Sequence, residues 1–312
     1  MCVRVKPSKP FANIGVDYSG PFYVKQGEKR SKTLAKCYVG LFVCLSTKAI
    51  HLELVSELST EAYPASLRRF IARRGLCDNI YSDNGTNVVG VEKELKETIL
   101  ERESAENISN FATQQGINFH FIPPCSPRMG GIWEAGVKTM KFHLRRVARN
   151  VKLTFEEFYT LICRVEAVLN SRLLCPMPNN PDNLQVLTPG HFLIGTSLLA
   201  PPDQNLIDLP SNRLSRWSHV QQIVQQLWKF WSHDYLHQLQ HRNKWKDIQA
   251  NVTIGDLGLV KEDNLPPLVW KKAVISDIHA GRDGLTRVVT LRTAKGTFKW
   301  PIAKICLLLK VD

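Results

Sequence analysis

No stretch of the chain approaches the length of apolar sequence needed to span a bilayer, and the N-terminus lacks the hydrophobic segment of a secretory signal. Cysteine pairs at metal-ligand spacing are absent too: the eight cysteines, at positions 2, 37, 44, 77, 125, 163, 175 and 306, include no C-x-x-C. That excludes a zinc ribbon and fits reduced thiols in a soluble, intracellular protein. Acidic charge is also short. Only 28 Asp and Glu stand against 41 Lys and Arg, leaving a net charge of +13. Such a surplus is unusual for an enzyme of small molecules and suits a protein that holds a polyanion, although a generally basic surface gives the same sum. The 44% of apolar residues is ample for a packed core, and 312 residues suit two domains, or one with an appendage.

Residues 1–10 are basic and patternless, a lead-in. From Phe11 an apolar run ends in Asp17-Tyr18-Ser19-Gly20-Pro21, which predicts a strand and then a turn. Ala35 to Ser46 reads as a buried strand, and Lys48 to Val55 alternates apolar and polar residues as a strand beside it. Ser59 or Thr60 caps a helix that stops at Gly75. A short fourth strand delivers Asp83, followed at once by Asn84-Gly85, a strong turn signal. Asp and Asn before Gly are ordinary turn chemistry, so this tetrapeptide decides nothing alone. Residues 91–111 read as a solvated helix or insertion, and Asn118 to Ile122 as a fifth strand stopped by two prolines.

A Pro- and Gly-rich loop then gives way to a helix near Gly131. At 100° per residue, Lys138, Lys141 and Arg145 fall within about 40° of Glu134, while Trp133, Val137, Met140 and Leu144 form a separate apolar stripe. Glu with Lys four residues on is also a common surface pair. Thr154 opens another helix, with Glu157 completing a capping box. Leu214 to Gln240 is a long helix with Trp217, Val220, Val224, Leu227, Trp228, Trp231 and Tyr235 on one face. His233, His237 and His241 share the other, without a carboxylate or thiol partner, which favours a solvated face over a metal site.

The last sixty residues change to short β-runs separated by Gly turns, the pattern of a small barrel. From Trp270 onward nine Lys or Arg stand against three Asp, and Phe298 and Trp300 interleave with Arg292, Lys295, Lys299 and Lys304. Cations that neutralise phosphates beside rings that stack would make a nucleic-acid surface, and a core role for the rings fits equally.

Three carboxylates stand at element ends: Asp17 after strand one, Asp83 after strand four, and Glu134 on the helix after strand five. If strands one and four are neighbours, both Asp residues meet at one sheet edge and the helix carries Glu134 to them. Such a cluster is tolerable with Mg²⁺ or Mn²⁺ bound, and two ions roughly 4 Å apart clamp the attacking and leaving oxygens of a phosphodiester exchange.

In that order, GVDYSGPF, IYSDNGTN and GGIWEAGVKTMK resemble the catalytic core of retroelement integrases. The details are similar to the BEL/Pao group of LTR retrotransposons: PPCSPRMGGIWEAGVK around the Glu, LNSR after it, LTPGHFLIG further on, and WKFWSHDYL, LQHRNKW and GDLGLVKEDNLPPLVW toward the end. The resemblance implies an α/β fold with an RNase H-like mixed five-stranded sheet and flanking helices, followed by a long helix and a small SH3-like β-barrel. The corresponding divisions are a catalytic core at 11–175, an extended connection at 176–212, the long helix at 213–248 and the basic barrel at 249–312. It makes Asp17, Asp83 and Glu134 catalytic metal ligands for Mg²⁺ or Mn²⁺, and places Lys138, Lys141 and Asn87 at DNA-contacting or site-flanking positions. The implied reaction trims element DNA ends and joins them to target DNA, with a homo-oligomer working on DNA in the nucleus. The family's N-terminal zinc module has no counterpart in these residues, so no zinc is expected here, and a non-catalytic, host-adopted DNA- or chromatin-binding protein is the alternative. Cys77, Val88, Leu173, Gly258 and Lys299 depart from the Pro, Phe or Arg that the family pattern suggests.

Overall fold

The computed structural model describes residues 8–26, 33–59, 62–83, 116–122, 138, 140–147, 151–177, 185–200, 203–239, 252–262, 265–281 and 286–308. Strands β1 (Asn13–Lys25), β2 (Leu34–Cys44), β3 (Ile50–Val55), β4 (Asn79–Asp83) and β5 (Asn118–Ile122) form one sheet in the order β3-β2-β1-β4-β5. The first three are antiparallel neighbours, whereas β1, β4 and β5 run parallel. Helix α1 (Ala62–Arg74) supplies the crossover that a parallel return requires.

Alternation along the strands divides the core into two faces. Phe42 and Cys44 join Ile14, Val16 and Ile80 on the side covered by Leu67 and Phe70 of α1. Val39, Leu41 and Val43 face the other way, against a helix over residues 140–147 (α2), helix α3 (Phe155–Asn170) and helix α4 (Arg216–Leu239). Strand β1 contributes to both layers. Its pairing with β2 shifts between Ser19 and Phe22, so Tyr18 packs on the α1 side and Phe22 and Val24 on the other. The turn predicted at Gly20-Pro21 is thus a kink within a longer strand; a Cβ on Gly20 would stand 2.5 Å from the Tyr38 ring.

Strand β3 pairs beside β2 as expected, and all six of its residues, polar ones included, are buried. His51 donates or accepts at Glu53 over 2.8 Å, Arg69 Nε donates to Glu53 over 2.9 Å, Arg73 also reaches Glu53, and Arg74 reaches Glu166 of α3. Burial works to raise the Glu53 carboxyl, yet hydrogen bonds from His51 and Arg69 and the Arg73 charge hold it below the ordinary value. Burial likewise opposes charge on His51, but its bonds to Glu166 and Glu53 raise it. The outer edge of β3 is satisfied by side chains. Asn170 accepts from Ile50 N at 2.8 Å and donates to Ile50 O at 2.7 Å, while Glu166 accepts from Leu52 N at 2.8 Å.

Helix α3 starts where its sequence says it should: the Thr154 side chain accepts from Glu157 N, and Glu157 returns a bond to Thr154 N. Phe158, Leu161, Ile162, Val165, Val168 and Leu169 then bury the helical stripe. On α4 the apolar face holds Val220, Val224, Leu227, Trp228 and Trp231, but Trp217, expected with them, is 52% exposed in the first turn. Between α3 and α4, residues 175–176 (β6) and 186–187 (β7) form a two-stranded ribbon, and His191–Ile194 makes a single helical turn.

Strands β8 (Leu257–Val260), β9 (Lys272–Ala280), β10 (Thr286–Thr293), β11 (Gly296–Pro301) and β12 (Ile305–Leu307) build a second, antiparallel sheet in the order β11-β10-β9-β8-β12. Its core is Val260, Ala273, Ile275, Val289, Leu291 and Ile305. Trp270 fastens this sheet to the rest: its Nε1 donates to Ser171 O over 3.0 Å, and its ring meets Trp228 at 4.9 Å, Tyr235 at 5.6 Å and Trp231 at 5.8 Å. No helix among the described residues is long and apolar enough to cross a membrane.

Candidate active site

Hydrophobic alternation fixes Val16 and Ile80 in the α1-side core, and this in turn sets the register of the two central strands. The parallel pairing of β1 with β4 runs from Asn13↔Asn79 to Val16↔Ser82. Asp17 and Asp83 are therefore the next residue on each of two neighbouring strands, at equivalent positions. On its far side Asp83 pairs with Ile122 of β5. Glu134 and Asn87 lie outside the described residues.

The Asp17 carboxylate is 37% exposed and has two partners: Tyr18 N donates to Oδ1 over 2.7 Å, and Lys141 Nζ donates to Oδ2 over 2.8 Å. Lys141, 19% exposed, arrives from α2, which is held on the sheet by Met140, Leu144 and Val147. Lys138 and Arg145 stand exposed on the same helix. Of the three cations expected on one face, Lys141 is the one that reaches the strand carrying Asp17. His143, which the sequence did not single out, turns the opposite way. It is buried, 3.5 Å from Asp234 of α4, and its Nδ1 has no hydrogen-bond partner among the described residues. Only the helical stripe Met140–Leu144, which brackets it, hinted at burial.

Carboxylate oxygens are the ligands that hard divalent cations prefer, and Asp17, 37% exposed, is accessible to one, but the Lys141 ammonium on Oδ2 would have to be displaced. Among the described residues no group of three or more His, Cys, Asp or Glu gathers as a metal site.

In the second sheet Arg292, Lys295, Lys299 and Lys304 are all exposed. Pairing decides how they relate to the rings. Lys299 lies opposite Thr290 and Thr297 opposite Arg292, so these cations share one face, whereas Phe298 and Trp300 pair with buried Leu291 and Val289 on the other. Trp300 packs on the sheet's core, and Phe298 is half-exposed at its margin. The interleaving in sequence is therefore a separation in space.

Residues 215–308, which span α4 and the second sheet, match a family described as "Family of unknown function (DUF5641)". No curated protein matches the chain. Among solved structures, one similar to it is the cryo-EM structure of the simian T-cell lymphotropic virus intasome in complex with PP2A regulatory subunit B56 gamma, at 12% identity and a TM-score of 0.40, covering 100% of this chain and 87% of that one. A likeness at that score decides neither fold nor function.

Proposed function

We propose that the chain is a metal-dependent polynucleotidyl transferase of the retroelement-integrase type, acting on DNA ends and target DNA. The observation that carries this reading is the placement of Asp17 and Asp83 one residue beyond the last paired positions of two neighbouring parallel strands. The strand order β3-β2-β1-β4-β5, antiparallel and then parallel, is what an RNase H-like core requires, and the second sheet answers to an SH3-like barrel. A BEL/Pao origin rests on the sequence motifs.

In this reading Asp17, Asp83 and Glu134 hold Mg²⁺ or Mn²⁺, which when bound activates an oxygen nucleophile and stabilises charge on the phosphate under attack. The chain's own groups do the rest. The β1–β4 register fixes the spacing of the two Asp positions before any substrate arrives. Lys141, bonded to Asp17, would meet a DNA phosphate brought to that carboxylate, and the exposed Lys138 and Arg145 add cations along the same segment. Arg292 and Lys299 on one face of the small sheet, with the exposed Lys295 and Lys304 of its turns, offer a second set of phosphate contacts, so the two surfaces hold different parts of one DNA complex. A homo-oligomer on DNA, working in the nucleus, follows from the same reading.

The test is incubation of purified protein with labelled element-end DNA and Mn²⁺, comparing wild type with Asp83→Asn. Cleaved or joined products from wild type alone support the reading. Equal products from both sink it, and DNA binding without products from either selects the non-catalytic DNA-binding alternative.

A further inference from the structure

A cavity of about 290 Å³ lies where α4, the segment after β8 and Arg146 of α2 meet. Its volume is near the lower limit of small-molecule pockets, ~300 Å³, so it has room for one nucleotide and none for a duplex. Trp228, Trp270 and Val269 form an apolar wall. That wall is rigid, because Trp270 is held edge-to-face on Trp228 and bonded through Nε1 to Ser171 O.

Charge around the cavity is uneven. Arg146, Lys229 and Lys261 line it, against the carboxylates of Asp234 and Glu262. Glu262 is taken up by Lys271 at 2.5 Å, and Asp234 stands near His143 and His233 at 3.5 and 3.6 Å. Arg146 lies over the Phe230 ring at 3.7 Å from its centroid. Neither Lys229 nor Lys261 has a carboxylate partner among the described residues. A fixed aromatic wall beside two uncommitted ammonium groups complements a flat ring joined to an anion.

We propose that this cavity binds a single unpaired nucleotide, its base against Trp270 and Val269 and its phosphate drawn to Lys229 and Lys261. The choice of a nucleotide among ring-bearing anions rests on the DNA-directed reading above. The nucleotide comes either from an unpaired DNA terminus or from the free pool. Its site is separate from Asp17, whose surroundings supply none of these lining groups.

Isothermal titration of the full chain with dAMP, deoxyadenosine, blunt duplex and the same duplex carrying an unpaired 5′ nucleotide tests the proposal. Wild type is expected to bind dAMP over deoxyadenosine, and Lys261→Glu to weaken dAMP by roughly tenfold. Lys229→Glu, at an exposed position where folding is not at stake, should do the same. A preference for the tailed over the blunt duplex that both variants abolish assigns the site to a DNA terminus; dAMP binding without that preference assigns it to free nucleotide. Asp83→Asn should leave dAMP binding unchanged, so failure of the catalytic reading does not by itself remove the site. Equal binding of dAMP and deoxyadenosine, or dAMP affinity indifferent to both Lys→Glu changes, overturns the proposal.

Discussion

Replacing Lys141 with Met should tighten divalent-cation binding, not weaken it. The amine holds Asp17 Oδ2 at 2.8 Å, and a metal that uses this carboxylate must displace it or bear its repulsion. A pair of unit charges at about 4 Å is worth ~4 kcal/mol at an effective dielectric of 20, while exposed pairs are worth about 0.2–1 kcal/mol. With side-chain exposures of 19% and 37%, this pair falls between those limits, and screening of the more exposed Asp17 brings it toward the lower one. An energy of about 1.4 kcal/mol is a factor of ~10 in affinity. Mn²⁺ titration followed by electron paramagnetic resonance of the free ion should therefore show Lys141→Met binding about tenfold tighter than wild type. The gap should narrow as salt rises and screening weakens the pair. On the proposed DNA-directed reading the same variant should also lose affinity for DNA, because it removes a cation from α2. Mn²⁺ binding that is unchanged or weaker in Lys141→Met would refute the idea that the amine competes for Asp17.

Three further outcomes follow. The depressed carboxyl of Glu53 contributes stability above its ordinary value of 4.5, lost as pH falls through the folded value; the raised ring of His51 contributes below 6.5 and fades as pH climbs through its own. Thermal melts across about pH 3–9 should therefore peak between those values, and Glu53→Gln should flatten the acid limb; an unaltered acid limb would remove Glu53 from the account. Trp270→Ala should cost about 3–5 kcal/mol in denaturant unfolding, because it strips the ring from three aromatic neighbours and orphans Ser171 O. A cost below about 1 kcal/mol would mean that the small sheet is not fastened there. Changing Lys295, Lys299 and Lys304 together to Gln should lower the salt slope of DNA binding by roughly 2.7, at ~0.9 per phosphate contact, and an unchanged slope would move the DNA surface elsewhere.

How far the sequence reached depends on the range of the interactions involved. Local chemistry was legible: Thr154 and Glu157 announce their helix, and the run up to Asp83 forms the strand Asn79–Asp83. Asn118–Ile122 also forms the strand its pattern predicts. Non-local partners were not. Alternation along β3 records polarity and not partners, and it is the arginines of α1 and Glu166 of α3 that make His51 and Glu53 acceptable inside. Gly20-Pro21 carries a strong turn signal, yet the strand continues through it by shifting register. Trp217 has the right helical angle for burial, but it sits in the first turn of α4 and is 52% exposed. Proximity of Asp17 and Asp83 followed once the strands were taken as neighbours, whereas the Lys141 contact depends on how α2 lies across the sheet.

The closure of β3 by Asn170 and Glu166 reaches beyond one molecule. A bare outer strand is a template onto which another chain can add its own backbone, and sheets left open in this way grow into fibres. Here the N–H groups of Ile50 and Leu52 and the carbonyl of Ile50 are already committed to side chains of α3. Another chain meeting this edge therefore finds those three groups occupied, and pairing its backbone there would first require displacing the α3 side chains.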